Sequence, residues 1–130
     1  MSNEGDIGAG IEKRFAVSRE GMVEAQAFLE LYQDDPKPAI IMDEIVSNIV
    51  RCSGASWFSI SLRQCADGFR MEFTDDGKPF DPTREIAAPD VTAAVEDREI
   101  GGLGMFMVRK MSKSVGYERK GDRNVLRVVI

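Results

Sequence analysis

The chain has 130 residues, 43 % of them apolar and 30 % charged, which is the size and balance of one soluble globular domain. A net charge of −5 leaves no basic excess for non-specific nucleic-acid or membrane-surface binding, and no apolar run approaches the roughly 18 residues of a membrane span. With no histidine, the chain cannot carry a Ser–His–Asp triad, histidine-ligated zinc or phosphorylation on its own histidine.

Residues 1–10 are polar and glycine-rich and are expected to form a loose N-terminal tail. Ile11 to Val17 reads as a first strand. Ser18 is an N-cap, after which Met22, Ala25, Phe28, Leu29 and Tyr32 recur at helical spacing. Asp34-Asp35-Pro36 stops this helix and starts a second, which is expected to run to about Cys52. Phe58, Ile60 and Leu62 alternate with polar residues, as do Phe69, Met71 and Phe73, and Ala66-Asp67-Gly68 turns one strand into the other. Asp81 to Ile100 shows no core pattern and has the length of a lid or binding loop. Gly104 to about Ser112 reads as a third helix. Ser114–Glu118 and Val125–Ile130 form a last hairpin around Lys120–Asn124. Cys52 and Cys65 lack metal-ligand spacing and read as thiols of a reducing cytoplasm. The N-terminus has no signal-peptide core, so a cytoplasmic location is expected.

Three segments carry residues that a small core does not need. On the second helix, Glu44, Ser47, Asn48 and Arg51 form one narrow polar stripe among apolar residues. Such a stripe is either a solvated face or the wall of a site. A carboxylate one turn from an amide oxygen suits proton transfer and magnesium. After the third strand, parity places Asp75 on the core side with Phe69, Met71 and Phe73, and Asp76 on the other. A carboxylate there needs hydrogen bonds: an Asx-turn would supply them, as would an adenine amino group beside Gly77. Finally, Gly101-Gly102-Leu103-Gly104 opens the third helix. It reads either as a flexible entry or as a phosphate-binding helix end.

In this order the segments resemble the GHKL (Bergerat) ATPase superfamily of gyrase, Hsp90, MutL and sensor histidine kinases, across about residues 11–130. The short length, the run Ile100 to Met111, the tail Tyr117 to Leu126 and the segment Asp75 to Pro82 resemble the stand-alone anti-sigma factor serine kinases. The resemblance implies a two-layer α/β sandwich, with a mixed, mostly antiparallel sheet and helices on one face. It implies ATP and magnesium as cofactors and residues 81–100 as the ATP lid. By position, Glu44 matches the acidic residue that activates the attacking hydroxyl, Asn48 the magnesium ligand, and Asp75 the adenine-reading carboxylate with Gly77 its companion. Gly101, Gly102 and Gly104 match the phosphate-binding glycines. Arg51 and Arg98 are further candidate phosphate contacts. One departure is Cys52, where many relatives carry a histidine.

The resemblance further implies a serine kinase acting on an anti-anti-sigma (STAS-domain) protein, a sigma factor as second partner, and a homodimer, with no direct contact to nucleic acid or membrane. Two other readings stand beside it: a non-catalytic ATP-dependent interaction module, and a detached sensor-kinase catalytic domain acting on a histidine elsewhere.

Overall fold

A computed structural model describes residues 10–85 and 100–130. Five strands form one sheet: β1 (Ile11–Ala16), β2 (Trp57–Cys65), β3 (Gly68–Asp75), β4 (Ser114–Lys120) and β5 (Arg123–Val129), in spatial order β1-β2-β3-β5-β4. All the pairings are antiparallel among the described residues. Among the described residues the mostly antiparallel sheet expected is antiparallel throughout, because the chain leaving β3 returns through a helix and a hairpin whose second strand runs back alongside β3. Both hairpins close over two residues. At the second, Gly121 takes φ 58 in the first loop position, the conformation that matches the sheet's own twist.

Among the described residues, three α-helices cover one face of the sheet. α1 (Arg19–Glu30) starts at Ser18, whose hydroxyl accepts from the Gly21 amide at 2.9 Å. α2 (Pro36–Asn48) starts at Asp35, which accepts from the Lys37 amide at 3.0 Å, with Pro36 in the first turn, where no intrahelical N–H is needed. α3 (Ile100–Met111) leads into β4. The strand residues that alternate inward join the buried residues of the helices in one core: Phe15, Phe58, Ile60, Leu62, Met71, Phe73 and Val128 meet Leu29, Ile41, Ile45, Met105 and Val108. The opposite sheet face is charged, with Glu72, Arg127 and Glu118 joined in a surface network.

The second helix does not run as a regular α-helix to Cys52. It ends at Asn48 and continues as one π-helical turn, Ile49–Ser53, closed by Gly54 at φ 69. Ser53 satisfies the wider turn from inside, its buried hydroxyl donating to the Ile49 carbonyl at 2.8 Å. Turns of this kind recur at functional sites because they re-aim the side chains that follow. Here the re-aimed stretch includes Arg51 and Cys52.

Candidate functional site

A cleft with about 320 Å³ of space, open solvent at its mouth included, lies between the end of β3 and start of β5 on one side and α2 and α3 on the other. Ile45, Ile49, Phe73 and Leu126 give it an apolar floor, and Asp75, Asn124 and Asn48 supply its polar groups.

On the strand side, Asp75 is 4 % exposed and faces the core as parity requires. Its Oδ1 accepts from the Gly77 amide at 2.9 Å and from Asn124 Nδ2 at 3.0 Å. The first bond is an Asx-turn, the structural reading of this residue. Among the described residues, no hydrogen bond reaches Oδ2. Asn124, which sequence reasoning missed, lies directly across from Asp75 in the β3–β5 register and is equally buried. Its Nδ2 also donates to the Lys78 carbonyl at 2.8 Å. Its Oδ1 accepts from the Phe80 amide at 3.1 Å, Arg119 at 3.1 Å and the Tyr117 hydroxyl. The signal was present: continuing the parity of Leu126 and Val128 back two residues reaches Asn124. Starting the last strand at Val125 hid it in the turn.

Asp76 points away from the cleft and pins the start of β2, accepting from the Ser56 amide at 2.8 Å, the Ser56 hydroxyl and the Trp57 amide at 3.1 Å. Burial pushes its carboxyl up. The hydrogen bonds from Ser56 and Trp57 together outweigh that and hold it below its ordinary value. Gly77 makes a close approach within the chain. A Cβ there would stand 2.4 Å from the Ser53 carbonyl oxygen, so the contact this glycine permits is with the π-helical turn, and the Lys78 amide donates to the same oxygen at 2.9 Å.

On the helix side, Glu44 is half-buried, Asn48 is 3 % exposed and Arg51 is exposed. An Arg51 nitrogen donates to Asn48 Oδ1 at 2.6 Å. A guanidinium has only donors, so the amide oxygen must face it. That leaves Asn48 Nδ2 buried with no partner among the described residues. An unmet buried donor costs about 1–3 kcal/mol, so a partner for it, from a ligand or from residues outside those described, is favoured. Glu44 meets α3: a Cβ on Gly104 would lie 2.0 Å from Glu44 Oε2, so with any other residue there the carboxylate would have to turn away from this position. Gly101 and Gly102 lie in the first turn of α3, among the residues whose N–H groups lack intrahelical partners. The helix thus begins four residues earlier than expected. Packing of α3 against α2 outweighs the roughly 1 kcal/mol that each glycine costs a helix. Arg98 and residues 86–99 of the expected lid lie outside the described residues.

Among the described residues, no group of three or more acidic, cysteine or histidine side chains could hold a metal ion. Magnesium would therefore depend on the Asn48 amide oxygen and on oxygens of its ligand, a pattern this ion accepts. Arg51 already occupies that oxygen, so a metal would have to displace the guanidinium, while the unmet Nδ2 is a donor that can meet a phosphate oxygen but not a cation; on those terms the residues fit such a group.

A two-layer α/β domain with a buried carboxylate on one wall of its cleft, and a helix start beside a second carboxylate, belongs to the ligand-binding α/β class. More narrowly, the chain is a member of the histidine kinase-like ATPase domain family, the GHKL group, whose profile matches residues 20–130. That membership implies ATP as the ligand. The chain is 25 % identical over 85 residues to the serine/threonine-protein kinase BtrW of Bordetella bronchiseptica, a match covering 65 % of this chain and 59 % of that relative. Its fold is similar to that of the Acinetobacter baumannii histidine kinase AdeS, with a TM-score of 0.53 and 16 % identity over 92 % of this chain and 66 % of that one. The chain thus spans about two-thirds or less of either protein. Among the described residues, no helix is long and apolar enough to cross a membrane.

Proposed function

We propose that this kinase-like ATPase domain is an ATP-dependent protein serine kinase that phosphorylates a STAS-domain anti-anti-sigma protein and thereby controls a sigma factor. The observation that carries the reading is the contact of Glu44 with Gly104, which sets a carboxylate against the start of the helix that carries the glycine run. The similarity to a protein named as a serine/threonine kinase supports the reaction class.

In this reading residues 11–130 form one ATP-binding domain of the cytoplasm, and two copies form a homodimer. Asp75 reads the adenine amino group. The free N–H groups at the start of α3, around Gly101 and Gly102, bind phosphate, as helix N-termini do. Asn48 would hold magnesium, which supplies charge neutralisation on the phosphates. Glu44 accepts the proton of the substrate serine as its oxygen bonds to the γ-phosphorus and the bond to the β-phosphate oxygen breaks, releasing ADP. Positioning and electrostatics supply most of the acceleration in such transfers. The product serine gains about −1.5 to −2 charge, which an acidic chain of net charge −5 repels.

A binding-only module is the second reading. It is favoured by Cys52 at the histidine position and by Arg51 occupying the oxygen of Asn48. Incubating the protein with labelled ATP and STAS-domain proteins that bind it separates the two. Label on serine is expected. Binding without label supports the module, and an acid-labile, base-stable phosphohistidine points to a detached sensor-kinase domain.

A further inference from the structure

Asn124 is the most completely bonded polar side chain at the cleft. It donates to Asp75 and to the Lys78 carbonyl, and it accepts from Phe80, Tyr117 and Arg119. The partners fix its orientation without ambiguity, since two are pure acceptors and the Phe80 amide and the Arg119 guanidinium are pure donors. The amide therefore ties β3, the segment after it, β4 and β5 together at one point. It also divides the two oxygens of Asp75. Oδ1 is taken by Gly77 and Asn124, and Oδ2 is left without a partner among the described residues.

We infer that Asn124 is a positioning residue that sets the base selectivity of the cleft, by holding Asp75 so that a single acceptor oxygen meets the base. The inference rests on the reading of the cleft as an ATP site and deepens it. A 6-amino purine offers an N–H to that oxygen. A 6-oxo purine offers only lone pairs there and sets acceptor against acceptor, which is how polar sites discriminate most strongly. Without the Nδ2 donor, the carboxylate loses the bond that fixes its plane, and the discrimination weakens.

The test is competitive binding of ATP and inosine triphosphate to the full chain. Asn124→Asp keeps the side-chain shape and an acceptor toward Phe80, Tyr117 and Arg119, and replaces only the donating nitrogen. It sets two carboxyl groups about as close as the present 3.0 Å bond. Carboxyl groups that close share a proton, which a 6-oxo purine can accept. The ATP-over-inosine-triphosphate preference is expected to fall by about tenfold or more. Equal loss of affinity for both nucleotides, with the ratio unchanged, would reduce Asn124 to a structural residue and overturn the inference. Asp75→Ala is the separate arm. If it leaves ATP affinity unchanged, the adenine reading itself fails. If it weakens ATP while the Asn124→Asp ratio stays put, only the role of Asn124 fails. Should the aspartate variant not fold, the unaltered protein still decides: the Asn124 side-chain amide protons should exchange slowly with solvent, and rapid exchange would contradict the proposed clamp.

Discussion

The two walls of the cleft differ in how finished they are. On the strand wall, Asp75 and Asn124 are buried, and every polar atom of Asn124 has a partner within the chain. On the helix wall, Asn48 is equally buried, yet among the described residues its Nδ2 has none and its oxygen is held by an exposed arginine. The difference teaches where rigidity is built in. In the proposed reading, a base is a neutral planar group that a fixed carboxylate can recognise unaided, which would suit a wall complete in advance. A triphosphate would bring charge to be met by a cation and by helix N–H groups, which would suit a wall with bonds left open for its ligand.

The largest expected effect falls on the helix wall. Glu44→Gln keeps the contact with Gly104 but removes the proton acceptor. Serine phosphorylation should fall by roughly 10²–10⁴-fold with ATP affinity nearly unchanged, measured by label transfer and by calorimetry. Full activity in this variant would move the proton elsewhere and erase the catalytic part of the contrast.

Next in size is Gly77→Ala, which probes the contact joining the strand end to the π-helical turn. Its Cβ would stand 2.4 Å from a backbone oxygen of Ser53, so the backbone must shift. A destabilisation of about 1–3 kcal/mol is expected in chemical denaturation. An unchanged midpoint would mean that the two walls are not mechanically joined there.

The smallest effect concerns Asp76, which holds the start of β2 beside the strand wall. Its folded carboxyl lies below the ordinary value of 3.8, so its contribution to stability is fully present above that pH. The contribution is lost as the pH falls through the lower folded value. The stability gap between the parent and Asp76→Asn should therefore close only below about pH 4. A gap independent of pH would show that the hydrogen bonds, rather than the charge, account for it.

What could be read in advance follows the same division. Strand parity turned Asp75 inward, and helical register put Glu44 and Asn48 on one stripe, because both periodicities are local. The antiparallel return of β5 beside β3 is not local, and neither is the pairing of Asn124 with Asp75, which depends on the register of strands far apart in sequence. The π-helical turn was hidden because Ile49 to Cys52 continues the α-helical apolar pattern. The wider turn is fixed by the Ser53 hydroxyl and by its contact with Gly77. The glycine run was placed ahead of α3 on propensity alone, and packing draws it into the first turn.

The central claim is that the strand wall reads an adenine through Asp75, and calorimetric titration of ATP into the parent and Asp75→Asn tests it most directly. The amide keeps the shape and can still accept from Gly77 and Asn124, but it presents a donor to the base amine. The account predicts one ATP bound per parent chain and an affinity at least about thirtyfold weaker in the variant, the cost of roughly 2 kcal/mol for a charged bond replaced by a clash. Equal affinity in the two proteins would contradict it.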